Sequence, residues 1–172
     1  MNKALLQDKE RYASGKLPAF QKYYRKAQTA QNAVTRLIYK CLLHYFNGKY
    51  HVELGTQNQI GDGLYFGHPY GITINPNVKI GRNVNIHKGV TIGQENRGKR
   101  KGAPSIGDDV WIGINSTIVG KITIGNDVLI APNSYVNCDI PDHSIVLGNP
   151  CIIKHCDHAT ENYINRKAKV ED

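Results

Sequence analysis

"SIGDDVWIGINSTIVGKITIGNDVLIAPNSYV", residues 105–136, places an aliphatic residue at every sixth position: Ile106, Ile112, Ile118, Ile124, Ile130 and Val136. A second apolar residue precedes several of them by two, at Val110, Ile122 and Val128, and glycine follows at Gly107, Gly113 and Gly125. Six is not a helix period. Apolar residues at i and i+2 put both side chains on one face of a short strand. The remaining positions hold Gly, Asn, Asp and Pro, which suit corners. Sides of six residues close into a triangular coil of short parallel strands, with the aliphatics stacked in a ladder inside. Each coil buries its inner face only against its neighbours, so several must stack.

The same step runs upstream through Ile74, Ile80, Ile86 and Ile92, and earlier through Ile60, Phe66 and Ile72. The pattern predicts a mainly β fold: a parallel β-helix of hexapeptide repeats over 51–153. The spacing from Ile92 to Ile106 is two more than two repeats. That interval, "GQENRGKRKGAPS" from Gly93 to Ser105, is polar and bunches Arg97, Lys99, Arg100 and Lys101. It is expected to leave the coil as an exposed loop at 94–104, and a loop that interrupts a rigid repeat is a place for function.

Residues 1–50 read as helical. Ala30, Ala33, Val34, Leu37, Ile38, Cys41, Leu42 and Tyr45 recur at helical spacing and predict an amphipathic helix ending near Asn47-Gly48. A weaker helix is expected over 3–13. These helices would cover the open end of the coil stack. The tail, 154–172, leaves the repeat and is expected to form a short exposed helix from Asp157 to Lys169.

The net charge of +8 lies wholly in residues 1–50, which hold ten Lys/Arg against two acids; the remainder is balanced. A solvated basic helical face accounts for this, as does attraction to an anionic membrane surface or a phosphorylated lipid-linked acceptor. A neutral main body without a recognition motif argues against nucleic acid. No 18-residue apolar run and no secretory signal are present, so a cytoplasmic location is expected. Cys41, Cys138, Cys151 and Cys156 are irregularly spaced and read as free thiols. "CIIKHCDH" lacks the spacing of a standard zinc finger, and no metal is expected.

One histidine stands out. "GLYFGHPYGI", residues 63–72, sets His68 at the edge of a strand-like pattern between glycines and a proline. Imidazole is the natural general base for activating a hydroxyl near neutral pH, and an orienting carboxylate would complete it. His87 in "NIHKG" is a rival base or a cleft residue.

Here the chain resembles the serine acetyltransferase family of hexapeptide acyltransferases, through "GLYFGHPYGI", residues 105–136 and "VLGNP". Short chains of this look also occur among polysaccharide O-acetyltransferases. The resemblance implies a left-handed β-helix, a homotrimer and acetyl-CoA bound between coils. It implies His68 as base with Glu53 as its carboxylate, and Gly113, Ile114, Ala131 and Pro132 beside the pantetheine arm. Lys154 and the loop residues Gly93, Arg97, Lys99, Arg100 and Lys101 are candidates for phosphate or acceptor contacts. Serine-specific members carry aspartate before the catalytic histidine, where this chain has Gly67, and an Arg-His pair where it has Gly102-Ala103. Without those charges, a sugar hydroxyl is the expected acceptor. Serine is the alternative, and a non-catalytic scaffold is the reading from another class.

Overall fold

The computed structural model describes residues 2–168. Three helices precede the coil. α1 (Lys3–Glu10) is capped by the Asn2 side chain, which accepts from Leu5 N at 3.0 Å. α2 (Ala19–Thr29) begins after Pro18, and α3 (Ala33–Tyr50) begins at Asn32, whose side chain accepts from Thr35 N at 2.7 Å. α3 runs past the predicted stop at Asn47-Gly48 and ends at His51 in the left-handed conformation.

The stripe that predicted this helix does not face the core. Val34, Leu37, Ile38 and Tyr45 are 70%, 62%, 52% and 63% exposed. α3 packs on α2 through its other side, where the Phe46 ring stacks on Tyr23 at 5.4 Å and Leu43 is buried. Aromatic rings bury more area than the aliphatic stripe, so they decide which side turns inward.

A buried polar clamp ties these helices to the first coil. Arg25 pairs with Asp8 and donates to the carbonyls of Ile60 and Gly61, while Gln21 donates to Asp8 and to the Leu64 carbonyl. Asp8 in turn accepts from Leu64 N at 2.9 Å.

The body is a left-handed parallel β-helix of about five turns with three sheets. The first holds β1 (Val52–Glu53), β4 (Ile72–Ile74), β7 (Thr91–Gly93), β10 (Thr117–Val119) and β13 (Tyr135–Val136). The second holds β2 (Gln59–Ile60), β5 (Lys79–Ile80), β8 (Ser105–Ile106) and β11 (Thr123–Ile124). The third holds β3 (Tyr65–Gly67), β6 (Asn85–His87), β9 (Val110–Ile112), β12 (Val128–Ile130) and β14 (Ser144–Leu147). Ile86, Ile92, Ile112, Ile118 and Ile130 form a fully buried ladder inside.

The strand register locates two insertions. Later coils repeat at eighteen residues, as Ile106 pairs with Ile124. Phe66 pairs with Ile86, twenty residues on, so two extra residues enter the corner after Gly67. Ile80 pairs with Ile106, twenty-six residues on, so the loop adds eight residues to a single corner. The sequence spacing suggested only two beyond two repeats; in the coil, Ile92 and Ile106 lie on consecutive sides. Within that loop Glu95 and Gly102 exchange backbone hydrogen bonds at 2.9 Å around a short 3-10 turn, Gly98–Arg100.

The tail begins with β15 (Ile152–His155), which folds back antiparallel on β14. Residues 157–164 form turns rather than the expected helix. Asp127 holds this segment by accepting from Ala159 N, Thr160 N and Thr160 Oγ1. The last residue of the expected helix, Lys169, lies outside the described residues.

Candidate active site

β3 ends at Gly67, and the chain turns at His68 with φ +52°. The two added residues push this corner outward, and His68 is exposed rather than facing the core. Asn115 and Asn133 adopt the same left-handed conformation, with φ +58° and +59°, so this is the regular corner geometry of the coil.

The same corner recurs at the end of the third sheet on each coil and forms a column. Lys88 N donates to Gly67 O at 3.1 Å, Asn115 N to Lys88 O at 3.0 Å, and Asn133 N to Ile114 O at 2.9 Å. Four residues expected beside the acyl donor lie in this column with His68. A Cβ on Gly113 would stand 2.6 Å from Pro132 N, so only glycine lets the backbones of Gly113 and Ala131-Pro132 approach. At about 4.8 Å per coil, the corners of His68 and Pro132 are roughly 14 Å apart.

Other expected partners are not brought together. Glu53 sits on β1 opposite Thr73, is exposed, and makes no hydrogen bond to His68. The neighbouring Tyr70 ring packs on His51 at 4.8 Å. The carboxylate and imidazole groups thus stand on neighbouring coils without a direct hydrogen bond in this structure. Gly93, Arg97, Lys99, Arg100 and Lys101 emerge at the opposite end of the first sheet, one side of the triangle from His68. Lys154 is exposed on β15 opposite Ile145, short of the corner column.

His87, the rival base, lies beside His68. It pairs in register with Gly67, and its ring rests over that glycine. Its Nδ1 is 2.9 Å from the Ile112 carbonyl. A carbonyl oxygen only accepts, so Nδ1 carries the proton and Nε2 of the neutral ring is bare. Burial pushes its pKa below the ordinary histidine range, the Ile112 bond opposes this, and His68 adds to the lowering.

His87 lines a pocket of about 560 Å³ on the outer face of the third sheet. Trp111 packs on it at 4.6 Å, Tyr65 and Tyr163 add aromatic wall, and Arg11 and Arg166 supply positive charge. No acidic side chain lines it among the described residues. Arg11 is 5% exposed, and its Nε has no hydrogen-bond partner. The repeat pattern did not reveal this wall. Its one available signal was Trp111, a tryptophan at an outward position between two inward aliphatics. Among the described residues no group of three or more His, Cys, Asp or Glu side chains is placed to hold a metal.

Residues 103–138 match the family described as bacterial transferase hexapeptide (six repeats). The serine acetyltransferase of Staphylococcus xylosus is 38% identical over 106 residues, 62% of this chain and 48% of that protein. A soybean serine acetyltransferase solved with serine superposes with a TM-score of 0.71 at 26% identity, covering 88% of this chain and 67% of the other. This is a hexapeptide-repeat protein resembling serine acetyltransferases.

A Brucella abortus serine acetyltransferase solved with coenzyme A shares the hexapeptide-repeat fold, with a TM-score of 0.75 at 22% identity over 88% of this chain and 66% of the other. The chain spans 39% to 59% of the length of the curated relatives it matches.

Proposed function

We propose that the protein is an acetyl-CoA-dependent O-acetyltransferase of the serine acetyltransferase type. The observation that carries this is the corner column, which sets an exposed imidazole in line with Gly113, Ile114, Ala131 and Pro132. Acetyl-CoA lies along the column with its thioester near His68. His68 takes the proton of the acceptor hydroxyl as its oxygen attacks the thioester carbonyl; the C–S bond then breaks, and His68 returns that proton to the sulfur so that CoA leaves as the thiol. A base of this kind contributes about 10²–10⁴-fold.

L-Serine is the acceptor that the relatives' names support, in place of the sugar expected from sequence. The sugar hydroxyl remains as a second reading because of Gly67, Gly102 and Ala103, which put no charge where an amino acid's ammonium and carboxylate need partners. The loop cations reach a donor site on this reading only from a neighbouring copy, so the working enzyme is a homotrimer in which one protomer's loop borders the next protomer's column.

Thiol release from acetyl-CoA tests this with L-serine, a hexose and an N-acetylhexosamine as acceptors. Acceptor-dependent release with L-serine supports the main reading, and release with a sugar alone supports the second. Release with none of them opposes both.

A further inference from the structure

Gly67 and His87 exclude any other arrangement at the edge of the pocket. A Cβ built on Gly67 would stand 2.5 Å from His87 Nε2 and closer still to Cδ2. A side chain at 67 and this ring position therefore cannot coexist. The ring is held in this position by the bond from Nδ1 to the Ile112 carbonyl and by the tilted contact with Trp111. What borders His68 on this side is thus a fixed, neutral imidazole with a bare Nε2, set in a wall without carboxylates.

We propose that His87 is the acceptor-orienting residue of this site: its Nε2 accepts a hydrogen bond from the acceptor, next to the hydroxyl that His68 deprotonates. This rests on the transferase reading. The partner group is an N–H or O–H donor, an amine in L-serine or a neighbouring hydroxyl in a sugar. Because the acceptor atom is neutral, the site does not demand a cation. Titratable and charged groups around the ring are His68 at the corner, Tyr65 on β3, Arg11 and Tyr12 after α1, and Tyr163 and Arg166 in the tail. When His87 takes a second proton, Nε2 becomes a donor and the ring a cation, so acceptor binding weakens. With its pKa pushed down, this occurs below the ordinary histidine range.

The test compares wild type with His87→Leu and His87→Gln, using L-serine, or the sugar if that is what wild type turns over. His87→Leu removes the acceptor atom and is expected to raise KM for the acceptor at least about tenfold, with KM for acetyl-CoA and the melting temperature unchanged. His87→Gln keeps an accepting oxygen without a titrating group. It is expected to retain most of the affinity and to abolish the rise of acceptor KM at low pH. Gly67→Asp is expected to lower the melting temperature alone and to do so far less together with His87→Ala, which removes the ring. An active wild type with an unmoved acceptor KM in His87→Leu, or equal changes in both KM values, overturns the role of His87 and leaves the transferase reading intact. A wild type silent with every acceptor overturns both.

Discussion

Arg25 grips Asp8 through Nε at 2.8 Å and Nη2 at 3.1 Å, with both side chains shut away from solvent. The pair joins α1 to α2, and its spare hydrogen bonds reach the backbone at Ile60, Gly61 and Leu64 of the first coil. Removing one partner strands the other as a buried charge. Asp8→Ala is therefore expected to cost about 3–5 kcal/mol. Chemical denaturation measures this directly, and a loss under 1 kcal/mol would mean that the helices are held on by packing alone.

The tail clamp should depend on pH. Burial works to raise the Asp127 carboxyl, but hydrogen bonds from Thr160, His143 and Ala159 outweigh it and hold it below the ordinary carboxylate range. The Asp127 bond in turn raises exposed His143 above the ordinary histidine range. A lowered acid stabilises above its unfolded pKa and loses that contribution as pH falls through the folded value. A raised histidine stabilises below its unfolded pKa and loses that contribution as pH climbs through the folded value. Docking of 159–168 is thus expected to be tightest between about pH 4 and 6.5, the ordinary carboxylate and histidine values. Amide exchange at Ala159 and Thr160 should be slowest there and should speed up on either side. Asp127→Asn should flatten the profile.

The loop offers a test of the proposed inter-protomer site. Neutralising Arg97 and Lys99 is expected to raise KM for acetyl-CoA about tenfold, and far less for an acetylated dephospho-CoA. Assemblies formed by mixing His68→Ala chains with loop-neutralised chains should regain activity, since some clefts then receive an intact loop and an intact base. No complementation would place the whole site within one protomer.

How much of this could be read in the sequence follows from where periodicity constrains the chain. Ile106 to Val136 revealed the coil because every sixth side chain must fill the same narrow interior. The two residues added at the corner of His68 went unremarked, because the runs through Ile72 and through Ile74 each keep the six-residue step. Register depends on which strands pair, and the repeat alone does not say on which side an extra residue bulges. α3 misled for a related reason. It is apolar on two sides, and among the described residues the aromatic side, Phe46 and Tyr50 against α2, is the one that packs on the rest of the chain. The pocket wall joins Arg11, Tyr65, Trp111 and Tyr163 across about 150 residues with no shared period, so nothing local announces it. His87 was noted as a rival base; its relation to Gly67 exists only once β3 and β6 are paired.

The central claim is that His68 activates the acceptor in a site that also binds acetyl-CoA. Single-turnover acetyl transfer by wild type and His68→Gln, with acetyl-CoA affinity measured calorimetrically on the same samples, tests it most directly. The expected result is a rate at least about 100-fold lower in His68→Gln with unchanged acetyl-CoA affinity. Equal rates in the two proteins, or a wild type that does not bind acetyl-CoA, would contradict it.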